Sequence, residues 1–245
     1  MGVSPRNSIT QQGVSIISCT NRRGFIKNLL QNYSRQRHSK KELIIIVNND
    51  SIPLAPYKSM AKKLRNVHVY RAPQHHSLGA CLNHAVKKAK YSYIAKFDDD
   101  DYYAPYYLTD SLLTFQKTNA DVIGKRAHYM YLRGSKSLIL RFAKDEHRPV
   151  KVIPGATLVI KRQVLRNVHF PNRSVGEDDQ FCIRSRQKGY RVYSAGRHNF
   201  LAIRRKNSAH HTWIISDQEL ISASQRIRSV RNYKKFVQKK PKGVS

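Results

Sequence analysis

The protein is a chain of 245 residues, 40% of them hydrophobic, which is enough to bury one sizeable core. Its 46 lysines and arginines outnumber 15 aspartates and glutamates, so the formal net charge is +31 and the surface must attract anions: nucleotides, phosphate polymers, nucleic acid or an acidic membrane. No apolar run is long enough to span a bilayer and the first residues carry no apolar signal segment, which argues against a membrane span and against standard export.

The N-terminal part alternates short apolar runs with segments of helical spacing. Three runs rich in β-branched residues predict strands at 14–19, 43–47 and 67–70. A helix at 80–89 and a strand at 93–97 follow, and Pro105 is placed to begin the next helix. This order predicts an α/β fold with a mixed, mainly parallel central sheet flanked by helices.

After Asp121 the pattern changes to shorter, hairpin-like strands. They are predicted at 121–132, 137–143, 156–160 and 190–193. Gly134 lies between the first two, where a hairpin turn is expected. Glu177 begins a helix that Gly189 ends. These elements predict antiparallel additions to the parallel sheet.

The C-terminal segment is strongly basic. From Ser224 onward it has eight lysines and arginines and no acidic residue. Such a composition is typical of a short helix with a solvated tail, and also of a tether to an anionic surface or polymer. The sequence leaves both open, and we place the boundary between a main domain at 1–223 and a basic C-terminal helix or tail at 224–245.

The cysteines indicate a reducing compartment. Cys19, Cys81 and Cys182 are far apart, odd in number, and each falls in an apolar segment, which suits buried thiols. We therefore expect a cytoplasmic protein. The basic surface adds the expectation of peripheral contact with the inner face of a membrane.

Seven of the fifteen carboxylates stand in two short clusters, Asp-Asp-Asp-Asp at 98–101 and Glu-Asp-Asp at 177–179. Adjacent carboxylates raise each other's pKa values unless a cation shares the site, and a divalent metal is the simplest such cation. Because the first cluster ends an apolar run, its acids should project from the carboxyl edge of the sheet, where open α/β folds bind ligands. The second cluster has a structural alternative, since acids in the first turn stabilise a helix.

A pair of histidines, His210 and His211, follows the acid clusters. An oxygen-rich site with one imidazole suits Mn²⁺ or Mg²⁺ better than zinc. Such a metal would bridge a phosphate-bearing substrate and neutralise charge on a departing phosphate, and the remaining acid cluster would supply a base.

Six segments, taken in order, resemble the inverting, nucleotide-sugar-dependent glycosyltransferases of family 2, which have the GT-A fold. They are VSIISCTNRR at 14–23, ELIIIVNNDS at 42–51, GACLNHAVKKAKYSYIAKFDDDDYY at 79–103, PGATLVIKR at 154–162, GEDDQF at 176–181 with KGY after it, and HHTW at 210–213. Each is weak alone, but their order and spacing are specific. The resemblance implies a Rossmann-like GT-A domain with a nucleotide-binding half at about 13–101 and an acceptor half at about 102–223.

On the donor side, the resemblance implies several nucleotide contacts. Thr20 matches a loop position that contacts the nucleotide, and Asn83 matches an asparagine near the nucleotide or ribose. Arg22 flanks the same loop, where a guanidinium would bind diphosphate. Asn48 stands where the family usually has an aspartate that reads the base. An amide oxygen still accepts a hydrogen bond from uracil N3–H, although the amide also carries a donor.

The aspartate cluster resembles the family's Asp-x-Asp motif. The match places Asp98 toward the ribose or sugar and Asp100 on the metal, while Asp99 and Asp101 leave the register open by one. Gly155 matches a small position beside the donor or acceptor sugar, where a side chain would intrude; a plain turn glycine is the alternative.

The second cluster and the histidines complete the expected site. Asp178 matches the general base that takes the proton of the acceptor hydroxyl, Glu177 would orient acceptor or base, and Asp179 competes for the role of base. His211 matches a histidine that completes the metal or diphosphate site, with His210 as its neighbour and alternative.

The resemblance thus implies a metal-dependent inverting glycosyltransferase, using Mn²⁺ or Mg²⁺, that moves a hexose-type sugar from a UDP-linked donor to an acceptor hydroxyl. The charge favours a saccharide or polymer acceptor that is anionic, such as a cell-surface polysaccharide. Two other functions stay open: a nucleic-acid-binding or phosphoryl-transfer protein, and a non-catalytic scaffold of the same fold. No nucleic-acid-binding motif is present in the sequence, so no specific nucleic acid is expected as a partner.

Overall fold

The computed structural model describes residues 11–206 and 215–242. The strands, in chain order, are β1 (Val14–Thr20), β2 (Lys41–Val47), β3 (Val67–Arg71), β4 (Tyr93–Lys96), β5 (Tyr102–Tyr103), β6 (Val122–Gly124), β7 (His128–Leu132), β8 (Ser137–Arg141), β9 (Arg148–Pro149), β10 (Val159–Lys161), β11 (Val192–Ser194), β12 (Phe200–Arg204) and β13 (Gln225–Ile227). The α-helices are α1 (Ile26–Arg35), α2 (Leu54–Lys62), α3 (Leu78–Lys88), α4 (Tyr107–Lys117), α5 (Arg162–Asn167), α6 (Glu177–Gln187), α7 (Asp217–Ser222) and α8 (Tyr233–Phe236), with 3₁₀ turns at Arg23–Phe25 and Gly155–Thr157. Within these ranges no helix is both long and apolar enough to cross a bilayer.

The larger sheet has the strand order β3-β2-β1-β4-β10-β6-β11-β9. Its first four strands are parallel, β10 runs antiparallel between β4 and β6, and β11 is parallel to β6. The predicted α/β fold with a mixed, mainly parallel sheet is therefore confirmed.

Helices cover both faces of this sheet, because successive side chains of its strands point in opposite directions. In β2, Leu43 and Ile45 pack toward α1 and α4, whereas Ile44 and Ile46 pack toward α3, α5 and α6. All four are fully buried. Strands buried on both faces appear as continuous hydrophobic runs, which is why this part of the chain was readable from sequence.

The second sheet has the order β13-β8-β7-β12-β5. The predicted hairpin around Gly134 is confirmed, since β7 and β8 pair antiparallel on either side of it. The single strand predicted at 121–132 is wrong: β6 belongs to the large sheet and β7 to the second. The extended segment is interrupted at Lys125, which lies between β6 and β7. Its buried ammonium donates to Asp110 Oδ2 at 2.8 Å and to the Gly196 carbonyl at 2.6 Å.

The described part of the basic C-terminal segment packs on the second sheet. β13 pairs antiparallel with β8, and Val237, which follows α8, is fully buried. Asn199 fixes the segment further, because its side chain donates to the Lys239 carbonyl at 2.8 Å and accepts from the Lys239 amide at 3.0 Å. Apolar residues spaced among the lysines and arginines account for this packing.

Candidate active site

A cleft of about 510 Å³ opens at the carboxyl ends of the parallel strands and is bounded on its other side by the second sheet. One wall carries Thr20 at the end of β1, Asn48 after β2, and the aspartates 98–101 after β4. Glu177 and Asp178, at the start of α6, line the same cleft. Both acid clusters thus face one cavity, although they lie far apart in the sequence.

The four consecutive aspartates alternate between exposed and buried positions. The side chains of Asp98 and Asp100 are 38% and 17% exposed, whereas Asp99 and Asp101 are 2% and 7% exposed. Asp101 accepts a hydrogen bond from the Ile203 amide at 2.8 Å and so joins the turn to β12. Asp98 and Asp100 are therefore the members with oxygen atoms open to the cleft.

The buried aspartates have strongly perturbed ionisation. Burial raises the pKa of Asp99 to about 6, although the Arg22 guanidinium opposes the rise. Thr20 Oγ1 donates to Asp99 at 2.5 Å, and Arg22 also bonds to it. Burial, together with Asp100 and Asp98, raises the pKa of Asp101 well above its usual range.

Two asparagines of α1 hold this turn, and neither was predicted from the sequence. Asn28 Nδ2 donates to the carbonyls of Asp99 and Asp101, at 2.7 and 2.9 Å. Asn32 Nδ2 donates to the Asp101 carbonyl at 2.8 Å, and its Oδ1 accepts from the Tyr103 amide at 3.1 Å. The sequence did contain a signal for them, because Asn28 and Asn32 are four residues apart and side chains at that spacing share one face of a helix.

Lys96 is a third residue of the site that was not predicted from the sequence. Its side chain is 4% exposed, lines the cleft, and donates from Nζ to Asp98 Oδ1 at 2.5 Å. Burial alone would lower the pKa of Lys96, but attraction to Asp98 and Glu177 outweighs it and holds the pKa above its ordinary value. The visible signal was a lysine within an otherwise apolar strand.

The second acid cluster begins α6 from Gly176, whose φ of +69° is left-handed. Asp178 lines the cleft, and its Oδ2 accepts from the Gly155 amide at 2.6 Å. Its Oδ1 accepts from the Asp179 amide at 2.9 Å. Glu177 is buried, and that burial raises its pKa to about 7 despite the attraction of Lys96.

Two further predicted site residues, Asp179 and Gly155, differ in whether they line the cleft. Asp179 is exposed and is not among the residues that line the cleft. Gly155 lines it, and a Cβ added there would lie 2.9 Å from Asp178 Oδ2. The absence of a side chain at Gly155 is therefore what lets Asp178 approach the backbone.

The structure brings Arg22 and Asn48 to the cleft. Arg22 donates to Asp100 Oδ2 at 2.8 Å, and its guanidinium carbon lies 4.3 Å from the centroid of the Phe25 ring. Asn48 Nδ2 donates to the Pro73 carbonyl at 2.5 Å. Because that carbonyl can only accept, the orientation of the Asn48 amide is fixed.

Asn83 is a predicted site residue that the structure does not bring to the cleft. Asn83 donates from Nδ2 to the Phe170 carbonyl at 2.8 Å, and its Oδ1 accepts from the Phe170 amide at 3.1 Å. It is not among the residues that line the cavity. His211, with His210, lies outside the described residues.

The carboxylates that face the cleft offer oxygen atoms as metal ligands. In the described ranges, no group of three or more His, Cys, Asp and Glu side chains is arranged to hold a metal ion. Asp98 and Asp100 nevertheless offer partly exposed carboxylate oxygens to the cavity, which is the donor type that Mg²⁺ and Mn²⁺ prefer. These residues fit a cation that completes its coordination with a phosphate-bearing ligand.

The chain belongs to glycosyl transferase family 2, whose family model matches residues 15–187. Its structure is similar to that of S. aureus TarS 1–349 in complex with UDP-GlcNAc, with a TM-score of 0.66 and 17% identity over 86% of this chain and 64% of that one. The complex of TarS 1–349 with UDP gives 0.63 and 20%, over 78% and 60%. No curated protein matches the chain in sequence.

A third similar structure is the mannosyltransferase PcManGT from Pyrobaculum calidifontis, in complex with GDP-Man and Mn²⁺. Its TM-score is 0.61 at 17% identity, over 79% of this chain and 57% of that one. The chain therefore covers less than two thirds of each of these neighbours. At such identities the likeness shows the fold, and the GT-A architecture expected from the sequence motifs is confirmed.

Proposed function

We propose that this protein is a divalent-metal-dependent, inverting glycosyltransferase that moves a sugar from a UDP-linked donor to an acceptor hydroxyl. The observation that carries the proposal is the shared cleft of about 510 Å³. It is faced by the turn that holds the four aspartates at 98–101, here named the aspartate turn, and by the start of α6. A cavity of this size is ordinary for a nucleotide-sized ligand. The neighbours' complexes with UDP, UDP-GlcNAc and GDP-Man support a nucleoside diphosphate sugar as donor.

Asp178 is the proposed general base. Hydrogen bonds from two backbone amides, at 2.6 and 2.9 Å, orient its carboxylate at the edge of the cleft. As the acceptor oxygen attacks the anomeric carbon, Asp178 takes the hydroxyl proton. The bond from that carbon to the diphosphate oxygen breaks on the opposite face, so one displacement inverts the anomeric centre. The second candidate, Asp179, is exposed and serves Asp178 through its amide.

Glu177 is proposed to orient the acceptor. Burial raises its pKa to about 7, so both its protonated and ionised forms are populated at neutral pH. The protonated form donates a hydrogen bond and the ionised form accepts one. Lys96 lies close enough to Glu177 to oppose that pKa rise, and Lys96 also bonds to Asp98. The charge of Glu177 is therefore coupled to the aspartate turn through Lys96.

Negative charge develops on the departing diphosphate, and the proposed groups that meet it lie at the aspartate turn. Asp100 would hold the metal, which when bound supplies positive charge to the diphosphate oxygens. Arg22, whose side chain is 30% exposed beside Asp100, adds a guanidinium there. Asp98, restrained by Lys96, is the proposed contact to ribose or sugar. Thr20 and Asp99 brace this loop from behind.

Asn48 is the proposed reader of the base. One N–H of its Nδ2 is bonded to the Pro73 carbonyl, which fixes the amide so that Oδ1 is available as an acceptor, while the second N–H is a donor that suits a uracil carbonyl. An acceptor pairs with the N3–H of uracil and repels the unprotonated N3 of cytosine. The departure from the family's aspartate thus supports the same base, and a preference for UDP over CDP is expected in a binding titration.

An anionic saccharide or polymer, such as a cell-surface polysaccharide, is the proposed acceptor. The net charge of +31 supports it, and it also supports peripheral contact with the inner face of a membrane, alongside the cytoplasmic location proposed from the cysteines.

The test is the release of UDP from a panel of UDP-sugars, measured with Mn²⁺ and with EDTA. Asp178→Asn should lower turnover roughly 10²- to 10⁴-fold, the range that general-base catalysis supplies, while UDP still binds. Asp100→Ala should abolish the response to Mn²⁺. Asp50→Asn is the matched control, because Asp50 is 64% exposed and outside the cleft lining. Equal turnover in all three variants and the wild type would remove the assignment.

A further inference from the structure

Two arginines share the ring of Phe142 at the end of β8. The guanidinium carbons of Arg126 and Arg141 lie 3.8 and 4.6 Å from its centroid. Phe142 has φ of +48°, a left-handed conformation that is unusual for a bulky residue. This backbone turn brings the ring against both guanidinium groups. Arg141 lines the cleft.

The surroundings of Arg141 are rich in positive charge. Burial and the nearby guanidinium groups of Arg126 and Arg204 lower the pKa of Arg141 to about 10. Carboxylates lie near the two neighbours at 3.8 Å, where Arg126 faces Asp145 and Arg204 faces Asp217. An anion in the cleft would relieve the mutual repulsion.

The two arginines at Phe142, Arg126 and Arg141, lie on the acceptor side of the proposed reaction. Arg141 is the cross-strand partner of His128, and both line the cleft from the second sheet. Burial and Asp178 raise the pKa of Asp179, and Arg126 opposes that rise, so Arg126 lies within electrostatic reach of the start of α6. Arg126 therefore lies near the residue that follows the proposed base in the chain.

A different pair of arginines serves the aspartate turn. Arg22 and Arg205 lie over the ring of Phe25, at 4.3 and 5.6 Å from its centroid, and Arg22 bonds to Asp100. That pair lies where the donor diphosphate is proposed to bind. The cations at Phe142 are therefore an additional group, carried by the other sheet.

Resting on the function proposed above, we propose that Arg141, supported by Arg126, binds a phosphate or carboxylate group of the acceptor, so that the acceptor is an anionic hydroxyl compound. A planar guanidinium presents paired N–H donors that match either anion. The anion binds at the second sheet while a neighbouring hydroxyl reaches Asp178. A neutral sugar lacks this contact and is a poorer acceptor.

The test is binding by isothermal titration to protein saturated with UDP and Mn²⁺. The probes are glucose 6-phosphate, glucuronate and glucose, which share a hydroxylated ring and differ in charge. Both anions should bind roughly tenfold more tightly than glucose, as expected for a charge-assisted hydrogen bond. Their order identifies phosphate or carboxylate as the preferred group. Arg141→Gln should remove the preference, and Arg141→Lys should retain part of it.

Arg148→Gln is the matched control, since Arg148 is 58% exposed and lies outside the cleft lining. The proposal is overturned if glucose binds as well as the anions, or if Arg148→Gln has the same effect as Arg141→Gln. It is also overturned if Arg141→Gln weakens UDP, or weakens UDP-glucuronate but not UDP-glucose, because Arg141 would then serve the donor. If the wild type fails to bind UDP at all, the proposed function itself fails, and the probe series is then read without nucleotide.

Discussion

Gly155→Ala tests whether the position of Asp178 matters for turnover. The added Cβ would lie 2.9 Å from Asp178 Oδ2, 3.1 Å from its Cβ and 3.2 Å from its Cγ. All three separations are shorter than ordinary van der Waals contact. The carboxylate must therefore retreat, and the hydrogen bond from the Gly155 amide, 2.6 Å in length, must stretch.

The size of the effect follows from the geometry. Restoring normal contact requires a displacement of roughly half an ångström, and a misplacement of 1 Å at a reacting group costs about 10²-fold in rate. Turnover should therefore fall about tenfold, which corresponds to about 1.4 kcal/mol of transition-state stabilisation. UDP affinity should be unchanged, because the aspartate turn is built on a different part of the chain.

The assay is UDP release under saturating donor, with UDP affinity measured separately by titration. Gly24→Ala is the matched control: it adds the same methyl group at a glycine where nothing lies within 4 Å of the new Cβ. Gly155→Ala with turnover within twofold of the wild type would refute the role given to Asp178. An equal loss in Gly24→Ala would show that the assay reports a general effect of added bulk.

Three further variants probe the framework of the site. Burial raises the pKa of Glu177 from 4.5 to about 7, so the wild type loses stability as pH rises through that range; Glu177→Gln should be the more stable by roughly 2–3 kcal/mol at pH 8 but not at pH 4 in urea unfolding. Equal differences at both pH values would contradict this. Asn32→Ala should cost about 2 kcal/mol in the same assay and weaken UDP binding, because the Asp101 carbonyl loses one of its two asparagine donors and the Tyr103 amide loses its acceptor; a neutral result would mean that the turn does not depend on Asn32. Val237→Ala should cost roughly 1.5 kcal/mol, whereas Val175→Ala, at a residue that is 62% exposed, should cost nothing, and equal stabilities would mean that the C-terminal segment is not packed.

The parallel part of the fold was predictable because its strands are buried on both faces. The short, continuous run of hydrophobic residues in β2 is typical of a strand that is buried on both faces. The helices between such strands must then cover those faces. The division into two sheets was not predictable. It depends on the burial of Lys125, whose partners Asp110 and Gly196 come from distant parts of the chain. The sequence around Lys125 does not predict such partners.

The packing of the basic C-terminal segment was also hidden from sequence reasoning. Its composition is that of a solvated tail, and the apolar residues that anchor it are few. Ile227 and Val237 pack in the same cluster as residues of β7, β8 and β12. Charge counts describe the exposed face of such a segment, whereas a small number of buried side chains decides where it lies.

The four aspartates show where sequence information ends within the site. A repeated residue carries no pattern, so the register of an Asp-x-Asp motif in Asp-Asp-Asp-Asp is undetermined by composition or spacing. Burial separates the members: Asp99 and Asp101 bond to Thr20 and to the Ile203 amide, and the alternate pair keeps its oxygens toward the cleft. The residues that impose this alternation come from β1 and β12. Which of the four aspartates expose their carboxylates is therefore a property of the tertiary structure.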